Sequence, residues 1–268
     1  MTRLVSNVDI KSYFKDAAAL IDDALDCYLP DEDRMPCSLH KAMRYSVFAG
    51  GKRIRPVLML AACEAVGGHR DAVVPAACAM EMIHTYSLIH DDLPAMDDDD
   101  YRRGQPTNHK IFGEANAILA GDALLTEAFV LLSNSDTGAQ ISPEIRRRII
   151  QIIARAAGCA GMVSGQVVDM ESEGKEIDLP TLEYIHIHKT GALIKASIEV
   201  GALLGGADGA TLKKLSRFGE LAGLAFQIAD DILDVTADQD ELGKDVGSDE
   251  ARGKATYVSL LGLRQSRE

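Results

Sequence analysis

The stretch His84–Thr107, which reads HTYSLIHDDLPAMDDDDYRRGQPT, contains six aspartates, then two arginines and a Gly-Gln-Pro turn. Apolar residues before it recur at helical spacing and predict a mostly buried helix that ends near Asp91 and Asp92. These residues are Met80, Ile83, Leu88 and Ile89. Because carboxylates without partners are costly to bury, we expect a divalent cation at this helix end.

Asp97 can share that cation only if the helix breaks. Asp97 follows Asp91 by six residues, which on a straight helix places the two roughly 120° apart. Pro94 has no N–H group and disfavours helical geometry at Leu93, so the chain can fold back there. A few carboxylates suit Mg²⁺, which usually completes its shell with water and substrate phosphate. For residues 98–100 a solvated acidic loop is the alternative.

A second acidic group lies on the helix predicted for residues 210–236, which ends in FQIADDILDV. Gln227, Asp230, Asp231 and Asp234 share one face of that helix. Asp230 and Asp234 stand about one turn, ~5.4 Å, apart along the axis, which suits two carboxylates that share a metal. The remaining positions are strongly apolar and predict an otherwise buried helix. Solvated or salt-bridged acids are the alternative.

Cations occur in separate groups. Lys52, Arg53 and Arg55 stand where Pro56 opens a helix, and helix N-termini already favour anions, so the three cations are expected within reach of one polyphosphate. A solvated basic turn is the alternative. The other groups are Arg102 with Arg103, Lys189 and Lys244.

The rest of the chain is also predicted to be helical. Helices are expected at residues 8–28 and 37–49, from Pro56 through Ala62, from about 72 into the aspartate stretch, and at 109–133, 142–169 with a bend near Gly158 and Gly161, 180–204 and 255–268. The polar segment 237–254 contains Lys244 and Lys254 and is predicted to be a mobile loop that acts as a lid. The predicted fold class is all-α.

Composition excludes several classes of protein. The chain has 268 residues and a net charge of −13, which argues against nucleic-acid binding. Five scattered cysteines without a CxxC pair indicate reduced thiols and a cytoplasmic protein. The most apolar run, 117–132, is interrupted by Asp122 and Glu127, so no membrane span is expected. The N-terminus lacks the pattern of a signal peptide.

The two aspartate-rich helix ends, together with the separate groups of cations, indicate that the protein binds two diphosphates rather than one. Metals that bridge carboxylates and phosphate oxygens stabilise charge on a leaving group. The sequence shows no Ser-His-Asp or Cys-His set and no GxxxxGK[ST] loop. The expected reaction is therefore the metal-assisted departure of a diphosphate inside an apolar helical cavity.

Seven motifs occur in order: GGKRIRP, DDLPAMDDDDYRRG, GQVVD, HKTG, FQIADDILD, LGKD and GKATY. This ordered set resembles the trans-polyprenyl diphosphate synthases, and among them the farnesyl diphosphate synthases of the bacterial type. The resemblance implies one isoprenoid-synthase-type helical bundle over residues 1–268, with a deep central cavity and a homodimeric assembly. Related chains usually continue beyond the final LLGL segment, so the domain is expected to be truncated at its C-terminal end.

The resemblance also implies the role of each matching residue. Mg²⁺, three ions in all with Mn²⁺ as a substitute, is expected on Asp91, Asp97 and Asp230, supported by Asp92, Asp231 and Asp234. The allylic diphosphate is expected to contact Arg102, Lys189 and Lys244. Isopentenyl diphosphate is expected to contact Lys52, Arg55, His84 and Arg103. Gln166, Thr190 and Gln227 are expected to line the cavity and to orient the substrate or stabilise a cation.

Product length is expected to depend on the helix before Asp91. Ser87 and Tyr86 lie four and five residues before Asp91, which is ~6 and ~7.5 Å below the metal end. A tyrosine there forms a bulky floor, and the resemblance links this pattern to fifteen-carbon products. Farnesyl diphosphate is therefore expected. The alternatives are that Tyr86 is ordinary core and that the product is geranyl or geranylgeranyl diphosphate.

Three other readings fit the sequence less well. A class I terpene cyclase would normally carry an Asn/Ser/Glu metal motif second and needs no GKRIRP segment. A non-catalytic synthase subunit would tend to lose one aspartate motif, and both are intact here. A metal-dependent phosphohydrolase would need a His-Asp metal set, which is missing.

Overall fold

Helices make up nearly all of the regular structure in the computed structural model, which describes residues 9–135, 141–236 and 254–268. The helices are α1 (Ile10–Tyr28), α2 (Cys37–Val47), α3 (Ile54–Ala65), α4 (Val74–Asp91), α5 (Asn108–Phe112), α6 (Glu114–Ser133), α7 (Pro143–Ala157), α8 (Met162–Ser172), α9 (Leu179–Ile185), α10 (Ala192–Leu204), α11 (Gly209–Thr236), α12 (Tyr257–Leu261) and α13 (Leu263–Arg267). A 3₁₀ turn covers Arg70–Ala72, and a π-helix covers His186–Gly191. The short strands β1 (Tyr101–Arg102) and β2 (Gln105–Pro106) pair antiparallel.

Helix α4 forms the centre of the core. Most of its side chains between Pro75 and Ile89 are buried, and it packs most extensively against α6 and also against α1, α2 and α3. A helix that is apolar all round can only be stable inside the protein. The C-terminal end of α4 therefore places Asp91 and Asp92 in the interior, as the sequence predicts.

Two of the predicted helices are interrupted at glycines with positive φ. Gly113, at φ 81°, separates α5 from α6, and Gly262, at φ 80°, separates α12 from α13. Residues other than glycine are strained in that region of backbone space. The helix expected at 142–169 is likewise divided, since α7 ends at Ala157 and α8 begins at Met162.

Helix α11 differs from the prediction that it is buried except for its acids. Its large apolar residues Phe218, Leu221 and Leu233 are exposed, whereas Asp231 and Asp234 are buried. On its packed side, small residues let α11 approach the π-helix closely: a Cβ atom on Gly223 would lie 2.8 Å from the Cα of Gly191.

Arg53 does not join the cations at the start of α3, contrary to the prediction for Lys52, Arg53 and Arg55. Its guanidinium is buried, where it contacts Glu81 of α4 at 2.7 Å and Asp22 of α1 at 2.8 Å. It also donates to the carbonyl of Val47 at 2.6 Å. A buried cation needs such partners, and Arg53 thereby ties four helices together.

Among the described helices, α6 alone is long and apolar enough to cross a membrane by length and composition. Core helices of other proteins pass the same test. Here α6 makes its most extensive contact with α4, and it exposes Ile118, Leu119 and Val130.

Replacing Arg53 should destabilise the fold. Arg53→Ala leaves Glu81 buried without its partner, so we expect the free energy of unfolding to fall by ~3–5 kcal/mol. Asp22→Ala is the matched control, because the Asp22 side chain is 47% exposed and exposed ion pairs contribute ~1 kcal/mol or less. Urea denaturation measures both, and equal losses would contradict a special role for the buried pair.

Candidate active site

The chain folds back at the end of α4 as Pro94 predicts. Asp91 is the last residue of α4, and the backbone N–H of Asp97 donates to the carbonyl of Asp91 at 2.8 Å. The side chain of Asp97 is only 11% exposed. The turn therefore places two carboxylates of one motif side by side in a partly enclosed space.

Burial raises the pKa of Asp91 to about 6. The neighbouring charges of Asp97 and Asp92 raise this pKa further, whereas those of Lys189 and Arg102 lower it. The motif therefore has less positive charge around it than its carboxylates require. A divalent cation would supply the missing charge.

A cavity of about 370 Å³ opens beside this end of α4. It brings together predicted residues from four separate motifs: Arg55, His84, Tyr86, Ser87, Asp91, Gln166, Lys189 and Thr190. Apolar side chains, among them Met96, Met162 and Val167, complete its wall. One cavity thus brings polar and apolar side chains together.

Two lysines stand beside the acids. Lys189 lies on the π-helix and pairs with Asp169 of α8, with 2.7 Å between Nζ and Oδ2. Lys254 lies 3.5 Å from Asp97 and 3.9 Å from Asp169. The sequence predicts Lys254 only as a cation of a mobile loop. Its position in GKATY was the available signal for a site residue. Lys244 lies outside the described residues.

Asp92 and Arg102 form a close ion pair at the site. The Nε and Nη2 atoms of Arg102 lie 2.7 and 2.6 Å from Oδ1 of Asp92, which is buried. Strand β1 carries Arg102 into this position. Arg103 follows at φ 54°, and its guanidinium donates to the carbonyl of Gly50. The hairpin therefore turns the two arginines to different partners.

The wall of the cavity also carries a buried cation, Arg55. Burial lowers the pKa of Arg55 to about 10, Glu81 raises it, and the charge of Arg103 lowers it further. The guanidinium therefore stays charged at neutral pH. Burial and the nearby arginines hold the pKa of His84 well below its usual value, so His84 is neutral. Lys52 is exposed and does not line the cavity.

The buried Nε of Arg55 and both polar side-chain atoms of Gln166 have no hydrogen-bond partner among the described residues. Buried polar groups are normally paired. Both side chains line the cavity, so their open positions point to a polar ligand that is bound there.

The second acidic motif is held by a contact that the sequence did not predict. Asp231 accepts a hydrogen bond from the backbone N–H of Tyr257 at 2.8 Å and lies 3.1 Å from Nε2 of His186. Asp234 is buried and Asp230 is half-buried. Gln227 and Asp230 are not among the residues that line the cavity.

The described residues contain no group of three His, Cys, Asp or Glu side chains placed to hold a metal. The paired carboxylates of Asp91 and Asp97, with the raised pKa of Asp91, nevertheless fit Mg²⁺. This ion is usually bound through one or two carboxylates together with substrate phosphates rather than by a protein cage.

The chain is similar in sequence to known proteins. Residues 36–268 match the polyprenyl synthetase family. The chain is 52% identical to the heterodimeric geranylgeranyl pyrophosphate synthase large subunit 1 of Arabidopsis thaliana, over 98% of this chain and 71% of that protein. It is 51% identical to the farnesyl diphosphate synthase of Geobacillus stearothermophilus, over 98% of this chain and 88% of that one.

A solved structure agrees with the fold. The geranyltransferase of Helicobacter pylori, solved in complex with magnesium and isoprenyl diphosphate, superposes with a TM-score of 0.85 at 38% identity, over 99% of this chain and 88% of that one. The predicted all-α isoprenoid-synthase fold is confirmed. The chain belongs to the polyprenyl synthetase family and is a prenyltransferase that uses isoprenyl diphosphates.

Proposed function

We propose that this prenyltransferase condenses isopentenyl diphosphate head-to-tail with dimethylallyl and then geranyl diphosphate to give farnesyl diphosphate. The observation that carries the proposal is the buried ring of Tyr86, which lines the same cavity as Asp91 and Arg55. Relatives of nearly equal identity are named for fifteen- and twenty-carbon products. The wall of the cavity, rather than family membership, therefore supports the shorter product.

The acidic end is proposed to hold Mg²⁺ with the allylic diphosphate. Asp91 and Asp97 would ligate it, with Asp230 contributed by α11, and three ions are expected, with Mn²⁺ as a substitute. Bound Mg²⁺ would withdraw charge from the leaving diphosphate. The complex of the H. pylori relative with magnesium and isoprenyl diphosphate supports this assignment.

The cations beside the acids are proposed to hold the same diphosphate. Lys189 and Lys254 pair with Asp169 in the described structure, and Arg102 pairs with Asp92. Each can turn toward phosphate oxygens without leaving its carboxylate, because ammonium and guanidinium groups carry several N–H donors. Lys244 is proposed to join them. Their charge would favour breakage of the bond between C1 and the diphosphate oxygen.

Isopentenyl diphosphate is proposed to bind at the cationic end. Arg55 would bind its phosphates as a charged group and His84 as a neutral donor, with Arg103 and Lys52 at the margin. The double bond of isopentenyl diphosphate would then attack C1 of the allylic cation, and a proton would pass to the released diphosphate. Gln166 and Thr190 are proposed to orient the substrates and the cation, and the amide of Gln166, which has no hydrogen-bond partner among the described residues, favours this role. Gln227, which does not line the cavity, is proposed to support them from α11.

Assembly as a homodimer in the cytoplasm remains our proposal. The apolar side chains of Ile118, Leu119 and Val130 on α6 are exposed, and an apolar face of this kind suits a protein interface. The five cysteines, at 27, 37, 63, 78 and 159, are all unpaired, as expected of a reducing compartment.

Metal affinity should fall as the pH drops through about 6, because protonated Asp91 cannot ligate Mg²⁺. In the metal-free protein the raised pKa stabilises the fold in acid, and that stability is lost as the pH rises through about 6. Asp91→Asn should therefore melt at a higher temperature than wild type in EDTA at pH 8.

Asp100→Asn is the control, since Asp100 is exposed, pairs with Lys110 and has a lowered pKa. Calorimetric scans at pH 8 and titrations of turnover with Mg²⁺ from pH 5.5 to 8 provide the two readouts. Metal affinity that does not change over this range would argue against Asp91 as a ligand.

The two diphosphate sites should be separable by mutation. Arg55→Ala should raise the KM for isopentenyl diphosphate by at least about tenfold, since losing a charged partner costs ~2–5 kcal/mol. The KM for geranyl diphosphate should change much less. Lys189→Ala is the matched variant and should show the reverse pattern in steady-state kinetics. Equal effects on both substrates would contradict the division between the two sites.

Product length should depend on Tyr86. With labelled isopentenyl diphosphate and each allylic primer, chromatography should show a fifteen-carbon product from the wild type. Tyr86→Ala should extend it to twenty carbons or more, because the ring no longer closes the cavity. Tyr86→Phe keeps the ring and should keep the product. If Tyr86→Ala still stops at fifteen carbons with full activity, Tyr86 is not the floor.

A further inference from the structure

His90 lies one turn after Tyr86 on α4 and lines the same cavity. The two rings meet edge to face, with 5.5 Å between their centroids and 89° between their planes. Aromatic pairs favour this geometry over a face-to-face stack. None of the proposed steps involves His90. On α4 it lies between Asp91, at the end of the helix, and Tyr86.

Helix α6 fixes the position of His90. Nε2 of His90 lies 3.0 Å from the carbonyl oxygen of Ile118, and since a carbonyl only accepts, Nε2 donates there. The imidazole occupies a notch in α6 at Gly121, where a Cβ atom would lie 2.3 Å from Nε2 and 2.5 Å from Cδ2. The ring cannot move closer to α6, and the hydrogen bond opposes its moving away.

Tyr86 has no comparable anchor of its own. Within the part of the chain that the structure describes, its hydroxyl makes no hydrogen bond, so the edge contact with His90 is the directional interaction on the ring. A ring held only by apolar contacts could rotate when a growing chain pushes against it. The fixed imidazole beside it restricts that rotation.

We propose that His90, seated in the Gly121 notch, is a positioning residue that holds Tyr86 across the cavity and so limits chain length. The inference rests on the proposed function, in which Tyr86 forms the floor. The product limit is then a property of the contact between α4 and α6, which Ile118 and Gly121 supply, rather than of one bulky side chain.

The test is a double-mutant cycle read by product length. His90→Ala leaves Tyr86 in place but unsupported, and it should raise the ratio of twenty- to fifteen-carbon product by about threefold or more, the scale of an aromatic pair. In a Tyr86→Ala background, His90→Ala should add nothing further. His90→Phe keeps an aromatic ring beside Tyr86 but cannot donate to the carbonyl of Ile118, so it should raise the ratio by less than His90→Ala does.

Two further variants control for lost volume and for folding. Met96→Ala also enlarges the cavity but should leave the ratio unchanged. Gly121→Ala should displace the imidazole and change the ratio in a protein whose circular dichroism matches wild type, which keeps the proposal testable if His90→Ala does not fold.

Several results would overturn the positioning role. One is an unchanged ratio of twenty- to fifteen-carbon product in folded His90→Ala or Gly121→Ala. Another is a change of this ratio in Met96→Ala as large as that in His90→Ala. The third is a further change when His90→Ala is added to Tyr86→Ala. A wild type that makes mainly another length would instead contradict the proposed product. The comparison of His90→Ala with wild type would still decide the role of His90.

Discussion

The burial of α4 is the constraint on which the rest of the structure depends. Because this helix is enclosed by α1, α2, α3 and α6, the aspartates at its end lie inside the protein, where unpaired charge is costly. Cations from distant segments offset part of this charge. Arg102 pairs with Asp92, Lys254 lies near Asp97, and the charge of Lys189 acts on Asp91. At Asp91 these cations do not outweigh the effect of burial, so the pKa of its carboxyl stays raised.

A buried acid on another part of α4 is also neutralised by an arginine. Glu81, also on α4, is the buried acid that Arg53 neutralises, and its field reaches Arg55 and Arg103 as well. With Arg53 already paired, Arg55 keeps a buried N–H that has no partner among the described residues. The cavity wall thus carries an acid from the end of α4, Asp91, and a cation from α3, Arg55.

Family membership and product length are decided at different levels. Relatives named for a twenty-carbon and a fifteen-carbon product are 52% and 51% identical to this chain. The wall of the cavity includes Tyr86 and His90, whose rings meet on α4, and His90 also contacts the backbone of α6 at Ile118. In our proposal, these contacts set the length limit, so small changes in packing alter the product without altering the chemistry.

The sequence by itself determined the features that local interactions control. Apolar periodicity identified the helices, Pro94 predicted the return of Asp97 to Asp91, and the ordered motifs named most of the residues that line the cavity. Only the tertiary structure decided which side of each element is covered. It buried Arg53 while Arg55 lines the cavity, turned the large apolar residues of α11 outward, and brought Lys254 to Asp97 and His90 to Gly121. Packing between distant segments decides these outcomes, and a local pattern cannot specify which neighbour a helix face will meet.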